Sequence, residues 1–79
     1  MSKSFDEHLQ MSLAEAVRKR RLQKGLTQES AAQAMEMSTR HFQKLEAGQL
    51  NITLRTLARV AKALDMELSE LFKDVKIRE

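Results

Sequence analysis

The sequence predicts an all-α fold, a compact five-helix domain. Three observations carry that expectation. The 79 residues contain no proline and only two glycines, the residues that most strongly interrupt a helix. Ala, Leu, Gln, Glu, Lys and Arg, all good helix formers, dominate the composition. Apolar residues recur at helical spacing, in short blocks separated by cap and turn residues.

Each block has its own start and stop. Ser12-Leu13-Ala14-Glu15 has the form of a capping box, Ser at N-cap and Glu at N3. From there a first helix is expected to reach about Lys24 and close on Gly25, which suits the left-handed C′ position. Its apolar face is Leu13, Ala16 and Val17, joined by the stem of Arg21 or by Leu22. Residues 1–11 form an N-terminal extension. Within it Ser4-Phe5-Asp6-Glu7 offers a second capping box, which starts either a short helix or a frayed extension of the first one. Thr27 caps a second helix, Gln28 to Met35, with Ala31, Ala32 and Met35 as its buried stripe. Ser38 caps a third, Thr39 to about Ala47, which buries Phe42 and Leu45 and stops at Gly48. Gln49 to Ile52 is a loop. Thr53 caps a fourth helix to about Leu64, with Leu54, Leu57, Val60, Ala61 and Leu64 at helical spacing. Asp65 sits where that helix must reverse, and Asp tolerates the left-handed region better than most residues. A fifth helix, about Leu68 to Lys73, carries Leu68, Leu71 and Phe72. Glu67 stands at its N-cap, where Ser or Asp would cap better. Residues 12–73 are thus the domain. Residues 74–79 are a short tail, in which Val75 and Ile77 alternate with Lys76 and Arg78 in the manner of a short strand.

Composition excludes more than it identifies. With no cysteine, neither a disulfide scaffold nor a Cys-based zinc site is available, and the chain fits a reducing compartment. His8 and His41 are the only histidines and are not i, i+4 on one helix, so no metal site is expected. Three Phe with no Trp or Tyr make a poor stacking platform for single-stranded nucleic acid. No apolar run is long enough to cross a membrane, and no signal core precedes the domain. A cytoplasmic protein, without membrane or cofactor, is expected. No nucleophile–base pair or Gly-rich phosphate loop is present, so an enzyme is not expected. The formal charge of +3, from 14 Lys and Arg against 11 Asp and Glu, is weak by itself, but its placement is informative. Arg18, Lys19, Arg20, Arg21 and Lys24 crowd the first helix, only part of which can face an acidic partner; Arg55, Arg59 and Lys62 mark the fourth. Leu68, Leu71, Phe72 and Val75 follow an i, i+3, i+4, i+7 stripe, more apolar surface than so short a helix needs, and are expected to form a homodimer interface.

Two short helices joined by a tight turn, with Gly25-Leu26-Thr27-Gln28-Glu29 at their start, resemble the helix-turn-helix of the lambda-repressor-like, Cro/Xre-type family. The resemblance extends through Ala32 at the close helix–helix approach, Phe42 and Leu45 at the two core positions, and Leu45-Glu46-Ala47-Gly48. It continues in Thr53-Leu54-Arg55-Thr56-Leu57 with Val60-Ala61-Lys62-Ala63-Leu64, and ends at Glu70-Leu71-Phe72. It covers roughly Leu13 to Phe72. One departure is Glu36 at a turn position the family usually gives to Gly; a left-handed residue there would carry strain of roughly 1–2 kcal/mol.

The resemblance implies a five-helix lambda-repressor-like fold whose partner is double-stranded DNA. A B-DNA major groove admits one α-helix, and the second helix of the motif presents its exposed N-terminal residues there. On this sequence those are Thr39, Arg40, Gln43 and Lys44. Arg and Lys suit guanine O6 and N7, Gln suits adenine N6 and N7, and Thr can meet a thymine methyl. By the same resemblance Gln28 contacts a phosphate at a helix N-terminus; His41 is a phosphate neighbour or simply exposed. Gln49, Asn51, Thr53 and Arg55 form a second phosphate clamp that sets register without reading bases. Arg21 and Glu46 resemble the family's buried structural ion pair. The implied function is a sequence-specific transcriptional regulator, a repressor in its leading form, binding a pseudo-palindromic operator as a homodimer. The alternative is the antitoxin of a toxin–antitoxin module, which would bind its promoter and a protein toxin.

Overall fold

The structure, a computed structural model, describes residues 5–72, with side chains from Glu7 onward. Five helices follow in chain order: α1 (Phe5–Gln23), α2 (Gln28–Ala34), α3 (Thr39–Glu46), α4 (Leu54–Ala63) and α5 (Leu68–Leu71). No strand occurs among the described residues. Val75 and Ile77 lie outside them, as does the rest of the expected strand.

Three of the expected caps form as the residue types require. The Thr27 hydroxyl accepts from the Ser30 N–H at 3.0 Å while the Ser30 Oγ accepts from the Thr27 N–H at 2.9 Å, the reciprocal arrangement of a capping box. Ser38 Oγ accepts from the His41 N–H at 3.0 Å, and Thr53 Oγ1 from the Thr56 N–H at 3.1 Å. Glu67 caps α5 less directly: its own N–H donates to the Glu70 carboxylate at 2.9 Å.

Ser12 caps nothing. It lies inside α1, which runs through it without a break. Upstream, Leu9 and Gln10 are half-buried, and Leu9, Leu13 and Ala16 continue one apolar stripe at i, i+4, i+7, so the tertiary contact outweighs the small helix penalty of a serine. Residues 5–11 of the extension are therefore the first part of a 19-residue helix. This part of α1 also braces the segment between α3 and α4. Gln10 Nε2 donates to Asn51 Oδ1 at 2.6 Å, and Met11 lies against Gly48, where an added Cβ would overlap its sulfur. At φ +72° that position already excludes most other residues.

The core gathers one stripe from each helix: Leu13 and Val17 of α1, Ala31, Ala32 and Met35 of α2 and its cap, Phe42 and Leu45 of α3, Leu57, Val60, Ala61 and Leu64 of α4 and its cap, and Leu71 of α5. Ala31 and Ala32 are small enough to let α2 and α3 approach closely. At the end of α1, Arg21 turns inward while Leu22 remains 58% exposed. Arg20 Nε and Nη2 donate to the Leu64 and Asp65 carbonyls at 2.9 and 3.1 Å, placing a cation on the unpaired carbonyls that end α4.

Leu71 is 1% exposed and belongs to this core. It is unavailable to a second chain, which corrects its assignment to a dimer contact: α5 is short and must use its one inward leucine to anchor itself to the domain. Phe72 is half-buried and packs against the same core. Leu68 is 50% exposed, and Val75 lies outside the described residues.

Both turns expected to be left-handed are so. Glu36 has φ 57° and Asp65 φ 55°. Glu36 is exposed and closes the α2–α3 turn through its N–H to the Gln33 carbonyl at 3.1 Å. Replacing Glu36 with Gly should relieve left-handed strain and stabilise the domain by about 1 kcal/mol, seen in thermal melting as a rise of roughly 4–8 °C in Tm.

Candidate nucleic-acid interface

α3 has two faces. Phe42 and Leu45 are 0% and 1% exposed and point into the core, while Arg40, His41, Gln43 and Lys44 are exposed and Thr39 is half-buried at the helix start. Arg40, Gln43 and Lys44 stand at i, i+3 and i+4, so they share one side of the helix. That side holds two fixed cations and a carboxamide, with no carboxylate among them.

The inner end of α3 is locked to α1. Arg21 Nε donates to Glu46 Oε2 at 2.6 Å and Arg21 Nη2 to Glu46 Oε1 at 3.2 Å. The two side chains are 11% and 5% exposed, so this is a mostly desolvated, bidentate pair. Arg21 Nη1 donates further, to the Leu26 carbonyl at 2.9 Å. One cation thereby fixes α1, the α1–α2 loop and α3 together.

Gln28 opens α2. It is half-buried, its Nε2 donates to Glu46 Oε1 at 3.0 Å, and its Oε1 accepts from Gln43 Nε2 at 3.2 Å. Its carboxamide is thus occupied on both sides, between the ion pair and the exposed face of α3. A small cleft lined by Arg18, Arg21, Gln28, Gln43, Glu46 and Ala47 opens here. Arg18 is exposed at its edge, a cation that the sequence placed only within a general basic run. Of that run, Arg20 and Arg21 are committed to carbonyls and a carboxylate, leaving Arg18, Lys19 and Lys24 toward solvent.

The loop residues are distributed around the start of α4. Gln49 is exposed and its N–H donates to the Lys44 carbonyl at 3.0 Å. Asn51 is exposed with Oδ1 held by Gln10. Thr53 is the N-cap, its Oγ1 also donating to Thr56 Oγ1 at 3.2 Å, and Arg55 is exposed in the first turn of α4. Gln10 was missed because its partner lies 41 residues away. No group of His, Asp and Glu capable of holding a metal occurs among the described residues, and no described helix is long and apolar enough to cross a membrane.

Known proteins share this fold. A family model described as helix-turn-helix (HTH_3) matches residues 17–71. The control protein C.MunI of a Mycoplasma species is 33% identical over 51 residues, which are 65% of this chain and 69% of that protein. The crystal structure of the restriction-modification controller protein C.AhdI from Aeromonas hydrophila superposes with a TM-score of 0.76 at 33% identity, over 80% of this chain and 96% of that one. The clp gene regulator ClgR from Corynebacterium glutamicum superposes with a TM-score of 0.80 at 28% identity, over 85% of this chain and 71% of that one. These relatives are regulators and controllers.

Proposed function

Because the chain belongs to the HTH_3 helix-turn-helix family, we propose that it is a sequence-specific, double-stranded DNA-binding transcriptional regulator with α3 in the major groove. The observation that carries this reading is the division of α3. Two cations and a carboxamide, at i, i+3 and i+4, face outward, and the two apolar residues face in. That pattern meets the donor and acceptor code of the major groove, and the Arg21–Glu46 pair holds the helix at a fixed angle to α1. Arg40 and Lys44 read guanine, Gln43 reads adenine, and Thr39 contacts at the helix start. Gln49, Asn51, Thr53 and Arg55 hold phosphates from the α3–α4 loop, with His41 beside them. Gln28 acts behind the surface.

The protein acts as a homodimer on a pseudo-palindromic site, with half-sites about one helical turn, roughly 34 Å, apart. Leu68, half exposed on α5, and Leu54, 84% exposed at the start of α4, supply apolar surface for the second copy. Binding of this kind at a promoter represses by occlusion. The regulators and controllers that this chain resembles favour such a role over that of an antitoxin.

A binding titration on the DNA upstream of its own gene tests the proposal. The wild-type chain should bind with an affinity that falls steeply with salt, as counterion release requires. Arg40→Ala should lose about 1–3 kcal/mol, roughly 5- to 150-fold, while melting like the wild type. Salt-insensitive binding, or equal binding by the variant, overturns it.

A further inference from the structure

We propose that Glu46 and Gln28 form a polarity relay that sets the carboxamide of Gln43 in the one orientation that reads adenine. The inference rests on the reading that α3 enters the major groove, and assigns within it two positioning residues that touch no base. It begins with a carboxylate. Ionised Glu46 can only accept hydrogen bonds, and Arg21 holds both its oxygens, Nε on Oε2 and Nη2 on Oε1. Glu46 Oε1 must therefore face a donor of Gln28, and it faces Nε2 at 3.0 Å. A carboxamide carries its donor and acceptor on opposite prongs, so Gln28 Oε1 is turned the other way. There it meets Gln43, which must answer with a donor and does so through Nε2 at 3.2 Å. Flipping Gln28 would set its oxygen against a carboxylate, and flipping Gln43 would set two carbonyl oxygens together. The first flip is opposed by the carboxylate's charge and the second by lone-pair repulsion between two carbonyl oxygens.

What remains on Gln43 is one N–H and an unused Oε1. Adenine offers N7 as acceptor and N6–H₂ as donor in the major groove, whereas guanine offers two acceptors, N7 and O6. The remaining pair on Gln43 complements adenine in both bonds. Against guanine it would satisfy one bond and bring its Oε1 against O6. The buried ion pair thus reaches the base edge through two carboxamides, and fixing Gln43 before binding reduces the ordering cost of the contact.

The test is selection of the full chain on a pool of randomised DNA duplexes, followed by sequencing of the bound fraction. The position read by Gln43 is the one whose preference disappears in Gln43→Ala. The wild-type chain should select adenine there. Gln28→Met keeps the volume, removes both hydrogen bonds and leaves the Arg21–Glu46 pair in place. It should lower adenine-over-guanine discrimination at that position about fivefold, with the Arg40-dependent positions unchanged. A second readout does not need DNA: the Gln43 side-chain amide should be rotationally ordered by NMR relaxation in the free wild type and averaged in Gln28→Met. Undiminished adenine preference in Gln28→Met, or a base other than adenine at that position in the wild type, overturns the relay while leaving groove binding standing. If the wild type enriches no sequence at all, the underlying reading falls and the relay falls with it.

Discussion

Glu46→Ala should destabilise the domain by about 3–5 kcal/mol in denaturant or thermal melts, because it leaves a mostly buried guanidinium without its counter-charge. Arg21 would keep only its bond to the Leu26 carbonyl, and Gln28 would lose the acceptor for its Nε2. A domain of this size has little to spare, since typical unfolding free energies are roughly 5–15 kcal/mol and small chains lie toward the low end. The double replacement Arg21→Met with Glu46→Met should recover most of that loss, as apolar replacement of buried pairs commonly does. Recovery of stability would separate the cost of an orphaned charge from any intrinsic need for the pair. A single variant that melts within 1 kcal/mol of the wild type would show the pair to be effectively solvated.

Phe42→Ala should be as damaging, about 3–5 kcal/mol, for a different reason. Phe42 is among the largest of the fully buried side chains and sits on the inner face of α3, with Met35 and Leu45 in the same cluster. Deleting its ring leaves a cavity between helices too short to collapse around it, since α2 and α3 have 7 and 8 residues. Phe42→Leu should cost far less, because most of the volume is kept. DNA affinity in Phe42→Ala should fall in step with the folded fraction and recover at low temperature. An unfolded α3 presents no helix to a groove, whereas Arg40→Ala loses affinity with the fold intact.

Much of this architecture was legible in the sequence because it is written in local signals. Thr27, Ser38 and Thr53 each stand where a helix needs an oxygen, and Gly25, Glu36, Gly48 and Asp65 each stand where the backbone turns left-handed. The alternation of Arg40, Phe42, Gln43 and Leu45 already divides α3 into two faces. Three features were not legible, each for a physical reason. Ser12 carries a valid cap signal, but a cap is used only where the helix ends, and the Leu9 to Leu13 stripe carries the helix past it. Leu71 and Leu68 look alike in sequence, yet one turn of helix decides that Leu71 is buried and Leu68 half exposed. Gln28 resembles the family's phosphate ligand, but its bonds to Glu46 and Gln43, 18 and 15 residues away, depend on how α2 and α3 cross. Local pattern gives elements and faces; the direction in which a long polar side chain spends its hydrogen bonds depends on the packing.

We propose that α3 reads base edges in the major groove, twice per dimer. Methylation protection measures this directly, because guanine N7 lies in that groove. On DNA upstream of its own gene, the wild-type chain should protect guanines in two clusters, centred about one helical turn apart on one face of the duplex, and Arg40→Ala should remove the protection in both. Unprotected N7 positions under saturating protein, or protection that Arg40→Ala leaves intact, would contradict it.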